Sequence, residues 1–378
     1  MDYGYGDLYL NKRGTLIQAH LADLHFGAFN PKTQFDILKE QVLQKLLNLP
    51  KLDVICVNGD IFDHKVMSNS DAAMYACSFI DILVNIARQK NSTLVLLHGT
   101  YSHDYDQLKL FYHYIEDPTV DIRIVTTIKF EMIKGAKVLC IPELYNVDES
   151  IYRHFFFESG WYDEAFIHGT FKGAVYGDNV GAGRLLTPED FIYCKGVAIA
   201  GHVHKSGCFN GFFYYCGCPY RWKFGEEEEK GFIILAHDLD SQIHHVHFEI
   251  VNSFRYDTIY LDTLVSEDPK KIIDYINNLR VSQGIDFIKV KFRVPVSGYN
   301  KTVINNYYRN NPSTFVNFEE NVELERQKKE ELIKQNAQYS FLTDTSLTPF
   351  EIFVRYVNES EGSEFITVAQ LTELLKEI

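Results

Sequence analysis

The chain lacks any apolar run of membrane-spanning length, and Met1-Asp2-Tyr3-Gly4-Tyr5-Gly6-Asp7 has neither the basic region nor the apolar core of a signal peptide. Both absences predict a soluble, intracellular protein. Also missing is any Cys-x-x-Cys pair. Seven cysteines, an odd number, are scattered along the chain, and the one close pair, Cys216-Gly217-Cys218, reads as a turn after an aromatic strand. That spacing argues against a zinc or redox site and for reduced thiols. Basic residues are in deficit: 37 Lys and Arg face 51 Asp and Glu, a net charge of −14. Such a balance argues against a chain that holds nucleic acid by its own bulk charge. If DNA is the substrate, metals or a partner must supply positive charge. The acidic runs Glu226-Glu227-Glu228-Glu229 and Glu319-Glu320 read as solvated faces.

What is present supports a substantial core. Over 378 residues, 46% hydrophobic and 14% aromatic content excludes global disorder and suits one large domain with appendages. Residues 15–22, 52–58 and 94–98 read as buried strands, alternating with amphipathic helices over 33–48, 71–89 and 105–115. From residue 122 onward short strands dominate: 122–125, 137–141, 165–168, 197–200, 212–216, 232–236 and 244–251. Thr187-Pro188-Glu189-Asp190, between two of them, is a helix start. Alternating strands and helices followed by a second set of strands predict an α/β fold with four-layer α/β/β/α packing. This main domain spans 1–252. A helix over 269–279 and a strand over 287–294 then predict a small α+β capping domain over 253–318. Residues 319–345 read as a charged linker or helix, and 346–378 as a segment of two amphipathic helices that pack on the body or grip a partner.

The chemistry-bearing residues recur where predicted strands run out. Asp23-x-His25 follows the first strand and Gly59-Asp60-x-x-Asp63 the second. Ser102-His103-Asp104 comes after the third, His168 ends 165–168, and Gly201-His202-Val203-His204 follows 197–200. Carboxylates and imidazoles are ligands of borderline divalent metals, and residues at strand ends converge when the strands lie side by side. Asp-x-His alone is weak, since a surface loop explains it equally well, and Asp60 alone serves as readily as a helix cap. The His202/His204 pair is the most specific signal. His20, inside a strand, reads as a core histidine, while Asp63 and His64 read as outer or substrate-side residues.

In this order the motifs resemble the calcineurin-like metallophosphoesterases over roughly residues 15–250, and within them the SbcD-type DNA repair nucleases. Tyr215-Cys216-Gly217-Cys218-Pro219-Tyr220-Arg221 is similar to that subfamily's Tyr-x-Gly-Ser-Pro-x-Arg segment. The resemblance implies two manganese ions per chain, with magnesium as the alternative. Asp23, His25, Asp60 and His204 would hold one, and Asp60, His168 and His202 the other, Asp60 bridging. The family supplies an Asn to the second ion from a Gly-Asn-His-Asp loop, and Ser102 stands where that Asn is expected. Thr100, a water and His98 are alternatives, and the shorter hydroxyl predicts a weaker second ion. His103 would protonate the leaving sugar oxygen, with Asp104 orienting its imidazole.

By this resemblance the chain is a manganese-dependent DNA exonuclease/endonuclease subunit of DNA repair or recombination. It would form a homodimer and work with an SMC-like ATPase of the SbcC type, in a bacterial cytoplasm or, if phage-encoded, that of the host. Two other readings stand beside it: a stand-alone phosphatase acting on a phosphoprotein or small phosphate ester, and a non-catalytic scaffold for the ATPase.

Overall fold

A computed structural model describes residues 14–145, 147–174, 184–226, 228–311 and 313–319. The charged segment and C-terminal helices expected beyond residue 319 lie outside the described residues. The chain is mixed α/β and divides into two compact units. The first comprises residues up to 257 together with 284–287, the second 258–283 and the residues from 288 onward.

In the first unit four strands run parallel, side by side: β1 (Thr15–Leu21), β2 (Val54–Asn58), β3 (Thr93–Leu97) and β4 (Asp121–Val125). The first three are nearly continuous apolar runs because both their faces are covered. In β1 the odd residues Ile17, Ala19 and Leu21 join the core cluster that also takes Leu38, Val42 and Leu46 and, from the helix Asp71–Lys90, Phe79, Ile80 and Leu83. The even residues alternate to the opposite face. Ser70 caps that long helix through the amide of Ala73, and Asn91 ends it in the left-handed conformation.

A second sheet follows. It is built from β5 (Lys129–Ile133), β6 (Ala136–Ile141), β7 (Tyr162–His168), β10 (Cys194–Gly201), β11 (Gly207–Phe209) and β12 (Phe213–Tyr215), with a two-strand pair, β8 (Thr170–Phe171) and β9 (Leu185–Leu186), in the connection. The strands β6, β7, β10 and β12 are parallel, while β5 and β11 pair antiparallel at the edges. The chain then returns to the first sheet as β13 (Gly231–Asp238) and β14 (Ile243–Ile250), giving the order β14-β13-β1-β2-β3-β4. Leu16, Val54, Cys56, Val95 and Leu97 of the first sheet share a core cluster with Val138, Cys140 and Phe166 of the second. All seven thiols are free.

The second unit is a small α+β body. Its sheet has the order β15 (Tyr256–Leu261), β16 (Phe287–Phe292), β17 (Thr314–Phe318), with helices Pro269–Ser282 and Gly298–Tyr308 between the strands. Ile272, Ile276, Val290, Phe292 and Ile304 are buried. Its described residues hold three strands and two helices, where the sequence pattern places one helix over 269–279 and one strand over 287–294.

One expected element differs. Instead of a single helix over 105–115, a short turn of helix Tyr101–Asp104 is followed by a 3₁₀ helix Gln107–Tyr114. Tyr105 between them has φ +43°, and its carbonyl is held by His98 Nε2, so the α-helical ladder cannot run through. Among the described residues no helix is long and apolar enough to cross a membrane.

Candidate metal centre

Parallel pairing brings together the carboxyl ends of β1, β2 and β3 in one sheet and of β6, β7 and β10 in the other. Register fixes the alignment: Leu21 pairs with Val57, Val57 with Leu96, Ile141 with Ile167, and His168 with Gly201. Ligand sites in open α/β sheets lie outside such ends. The loop after β1 is tied to the loop after β2 by amides of Asp23 and His25 that donate to the carbonyls of Gly59 and Asp60.

Close approach of these loops depends on glycine. A Cβ on Gly99 would stand 2.2 Å from both the amide nitrogen and Oδ1 of Asp60, and one on Gly201 would stand 2.2 Å from the Asn58 carbonyl. Four of the candidate ligands, Asp23, His25, Asp60 and His202, have φ of +53°, +45°, +53° and +93°. Each such residue costs roughly 1–3 kcal/mol and persists only where its surroundings fix it. The His202 amide supplies part of that fixation by donating to both carboxylate oxygens of Asp23, at 2.9 and 3.1 Å.

Two groups of ligand atoms result, with Asp60 between them. In the first, His25 Nε2 and His204 Nε2 stand 3.1 Å apart, with a carboxylate oxygen of Asp23 in the same cluster. Two nitrogens bound at about 2.1 Å to one ion are roughly 3.0–3.4 Å apart, so this pair fits a shared cation. In the second, Glu143 Oε2 lies 3.1 Å from His202 Nδ1 and 3.7 Å from His168 Nε2. Asp60 Oδ2 reaches both, 3.7 Å from His25 Nε2 and 3.4 Å from His168 Nε2.

Outer contacts set the tautomers. His168 Nδ1 donates to the Asn58 carbonyl at 2.7 Å, which leaves Nε2 for the centre. His204 Nδ1 lies 3.4 Å from the buried Glu226 carboxylate, and its ring packs on Trp222. Such partners orient metal-binding imidazoles. The field inside the centre favours positive charge. Burial alone would lower the His168 pKa, yet the carboxylates of Asp60, Asp23 and Glu143 raise it to about 10. Burial would likewise raise the Asp60 carboxyl, but the imidazoles of His168, His25 and His103 hold it well below the usual carboxylate range. Nitrogen and oxygen donors without thiolate in both groups fit borderline or hard divalent ions.

Of the residues expected as ligands, the structure gathers Asp23, His25, Asp60, His168, His202 and His204. It corrects Ser102. That residue is exposed on the short helix, and none of the hydrogen bonds around the centre involves it among the described residues. The Thr100 hydroxyl points there instead, 3.0 Å from Glu143 Oε2, 3.2 Å from Asp60 Oδ2 and 3.3 Å from His168 Nε2. Its amide also donates to Asp60 Oδ1. His98 is spoken for, its ring nitrogens bonded to the carbonyls of Gly99 and Tyr105.

Glu143 is the residue the sequence reading missed. The signal was available, since Glu143 follows the apolar strand end Val138–Ile141 just as Asp23 and Asp60 follow theirs. With a second buried carboxylate, the second group offers a cation more charge than the expected neutral amide would. Glu143→Ala is expected to weaken binding of a divalent cation at the second group by about tenfold or more. Ser102→Ala should leave both affinities unchanged; calorimetric titration of the two variants distinguishes these outcomes.

The expected role of Asp104 is also corrected. Its buried carboxylate accepts the backbone amides of Asp60, Phe62 and Gly99 at 3.1, 3.1 and 2.8 Å, fastening the loop after β2 to the loop after β3. His103 is oriented from elsewhere: Nδ1 donates to the Asp63 carbonyl, and the ring stands edge-on to His25, with centroids 4.7 Å apart. Asp63 in turn lies 3.5 Å from His25 Nδ1, and that contact, against the opposing effect of burial, lowers its pKa to about 2.

No family model matches the chain, and no curated protein matches it. Among solved structures, one crystal structure is 12% identical, with 62% of this chain and 99% of that chain covered at a TM-score of 0.41. Another, a protein of unknown function from Aquifex aeolicus, is 16% identical, with 47% of this chain and 94% of that chain covered at a TM-score of 0.22. Neither likeness carries an argument about fold or function.

Proposed function

We propose that the chain is a dinuclear metal-dependent phosphodiesterase of the calcineurin-like type that hydrolyses DNA. One observation carries this reading: a buried aspartate, Asp60, stands between two groups of nitrogen and oxygen ligands, with His103 beside them. Asp23, His25, Asp60 and His204 would hold one ion, and Asp60, Glu143, His168 and His202 the other. Manganese, or magnesium in its place, suits both sets. When bound, such a pair supplies an activated water and neutralises phosphoryl charge.

The remaining chemistry belongs to side chains. His103 donates Nδ1–H to a carbonyl, so in the imidazolium form the second proton sits on Nε2, the atom that would hand it to the leaving oxygen. Glu143 and Asp60 keep the centre anionic until cations enter. The four-layer sandwich is part of the same proposal. Its support is one cluster between the two sheets and separate clusters on their other faces. A homodimer, an SMC-like ATPase partner and a cytoplasmic setting belong to this reading too, since the acidic chain needs basic surface from a partner to hold DNA.

The test is cleavage of labelled single-stranded DNA against a nucleotide monoester in manganese. Faster diester cleavage is expected; monoester turnover alone points to a stand-alone phosphatase, and metal binding without any turnover to a scaffold. His103→Ala should lower turnover by about 10²–10⁴-fold with both ions retained. Normal turnover in that variant overturns the assignment of His103.

A further inference from the structure

Beside the second ligand group lies a cleft of about 520 Å³ whose wall includes Glu143 itself. Four tyrosines line it, Tyr101, Tyr105, Tyr112 and Tyr145, together with the ion pair of Lys109 and Asp106 at 2.9 Å. Tyr101 and Tyr112 are 54% and 40% exposed, so their rings are open to a ligand. Tyr101 and Tyr105 also form the wall of an adjoining hollow of about 320 Å³ that adds Lys65. The rings are held in place. Tyr101 packs on Tyr105 with centroids 5.3 Å apart and faces His98 at 6.4 Å, while Lys65 lies over the Tyr105 ring at 5.9 Å.

The cleft and the metal centre are joined by one hydrogen bond. Tyr145 Oη donates to Glu143 Oε1 at 3.0 Å, while Glu143 Oε2 faces His168, His202 and Thr100. A phosphate at the centre therefore has a tyrosine-lined recess immediately beside it. Flat aromatic walls are how proteins hold unpaired bases, because every base offers a π-face.

We infer that this tyrosine cleft is a base-stacking subsite that takes unpaired nucleobases of a single strand adjoining the phosphodiester at the metal centre. The inference rests on the phosphodiesterase reading and deepens it. It makes the chain's preference one for unstacked, single-stranded ends over paired DNA, and it gives the acidic protein a source of affinity independent of net charge. The interrupted helix is part of the device: the left-handed turn at Tyr105 sets the Tyr101 and Tyr105 rings side by side on the cleft wall.

The experiment measures equilibrium binding by fluorescence anisotropy of a labelled thymidine dodecamer and of an abasic dodecamer with the same phosphates. Calcium replaces manganese in both titrations to limit turnover. The full chain should bind the base-bearing strand about 5- to 150-fold more tightly. Tyr101→Leu combined with Tyr112→Leu should bring that ratio close to one, whereas Tyr101→Phe, which keeps the ring, should preserve it. Thermal unfolding of each variant separates a lost subsite from a lost fold. A ratio unchanged in the folded leucine variant overturns the subsite while leaving the phosphodiesterase reading intact. Failure of the wild-type chain to cleave any DNA in manganese overturns both.

Discussion

Asp60→Asn is expected to empty both halves of the metal centre and to lower phosphodiester turnover by at least about 10³-fold, the equivalent of roughly 4 kcal/mol. The substitution keeps the shape and an oxygen for the Thr100 amide, which now donates to Oδ1 at 2.6 Å. It removes the one charge placed 3.7 Å from His25 Nε2 and 3.4 Å from His168 Nε2. The imidazoles of the two groups would then face each other across a neutral amide. Metal analysis should fall from two ions per chain to fewer than one. A second readout needs no turnover. A ligand at a hundred times its dissociation constant stabilises the folded state by about 2.7 kcal/mol, so saturating manganese should raise the unfolding temperature of the wild-type chain and leave Asp60→Asn unmoved. Two ions retained in the variant would remove Asp60 from the bridging position.

Why Asp60 stands out in the sequence, while the weaker strand-end signal of Glu143 is passed over, follows from what surrounds each residue. Asp23, Asp60, His168 and the pair His202 and His204 sit where parallel strands end, and such strands announce themselves as apolar runs because both faces are buried. Gathering them needs only that the strands be neighbours. Glu143 ends a strand too, but as one carboxylate after Pro142 it has no motif around it. Its partners His168 and His202 lie 25 and 59 residues away in sequence, a proximity created only by β6 pairing with β7 and β7 with β10.

Two other errors share one cause, which is reading sequence adjacency as contact. His103 and Asp104 are neighbours, yet consecutive residues on a helical turn do not face each other. Asp104 points into the loops after β2 and β3, and His103 points toward Asp63 and His25. The same turn carries Ser102 outward and leaves Thr100, directly after Gly99, against Asp60. The breaking of the 105–115 helix is likewise local chemistry of a kind that periodicity does not report. Tyr105 adopts its positive φ where His98 Nε2 meets its carbonyl.

Glu164→Ala is the substitution with the largest expected effect on stability, about 3–5 kcal/mol, read from denaturant midpoints. Glu164 belongs to β7 of the second sheet and is 1% exposed, yet the partners of its Oε1 belong to the first sheet: Gln18 Nε2 from β1 and His237 Nδ1 from β13. The polar row continues. Gln18 Oε1 accepts from His20 Nε2 at 3.0 Å, and His20 Nδ1 accepts from Asn58 Nδ2 at 3.3 Å. Burial lowers the His20 pKa to about 3, so the ring is neutral and can donate at one nitrogen while accepting at the other. Asn58 closes the row, because its carbonyl is the acceptor that orients His168. Removing Glu164 strands Gln18 and His237 in the layer between the sheets, where neither can reach water. Replacing Glu164, His237, Gln18 and His20 together with leucines should recover much of the loss, since the row then leaves no buried side chain orphaned and Asn58 Nδ2 keeps the Leu21 carbonyl. If Glu164→Ala unfolds at the wild-type denaturant concentration, the row does not hold the sheets together. If it unfolds early but keeps its metal content when folded, the row supports the fold without setting the geometry of His168.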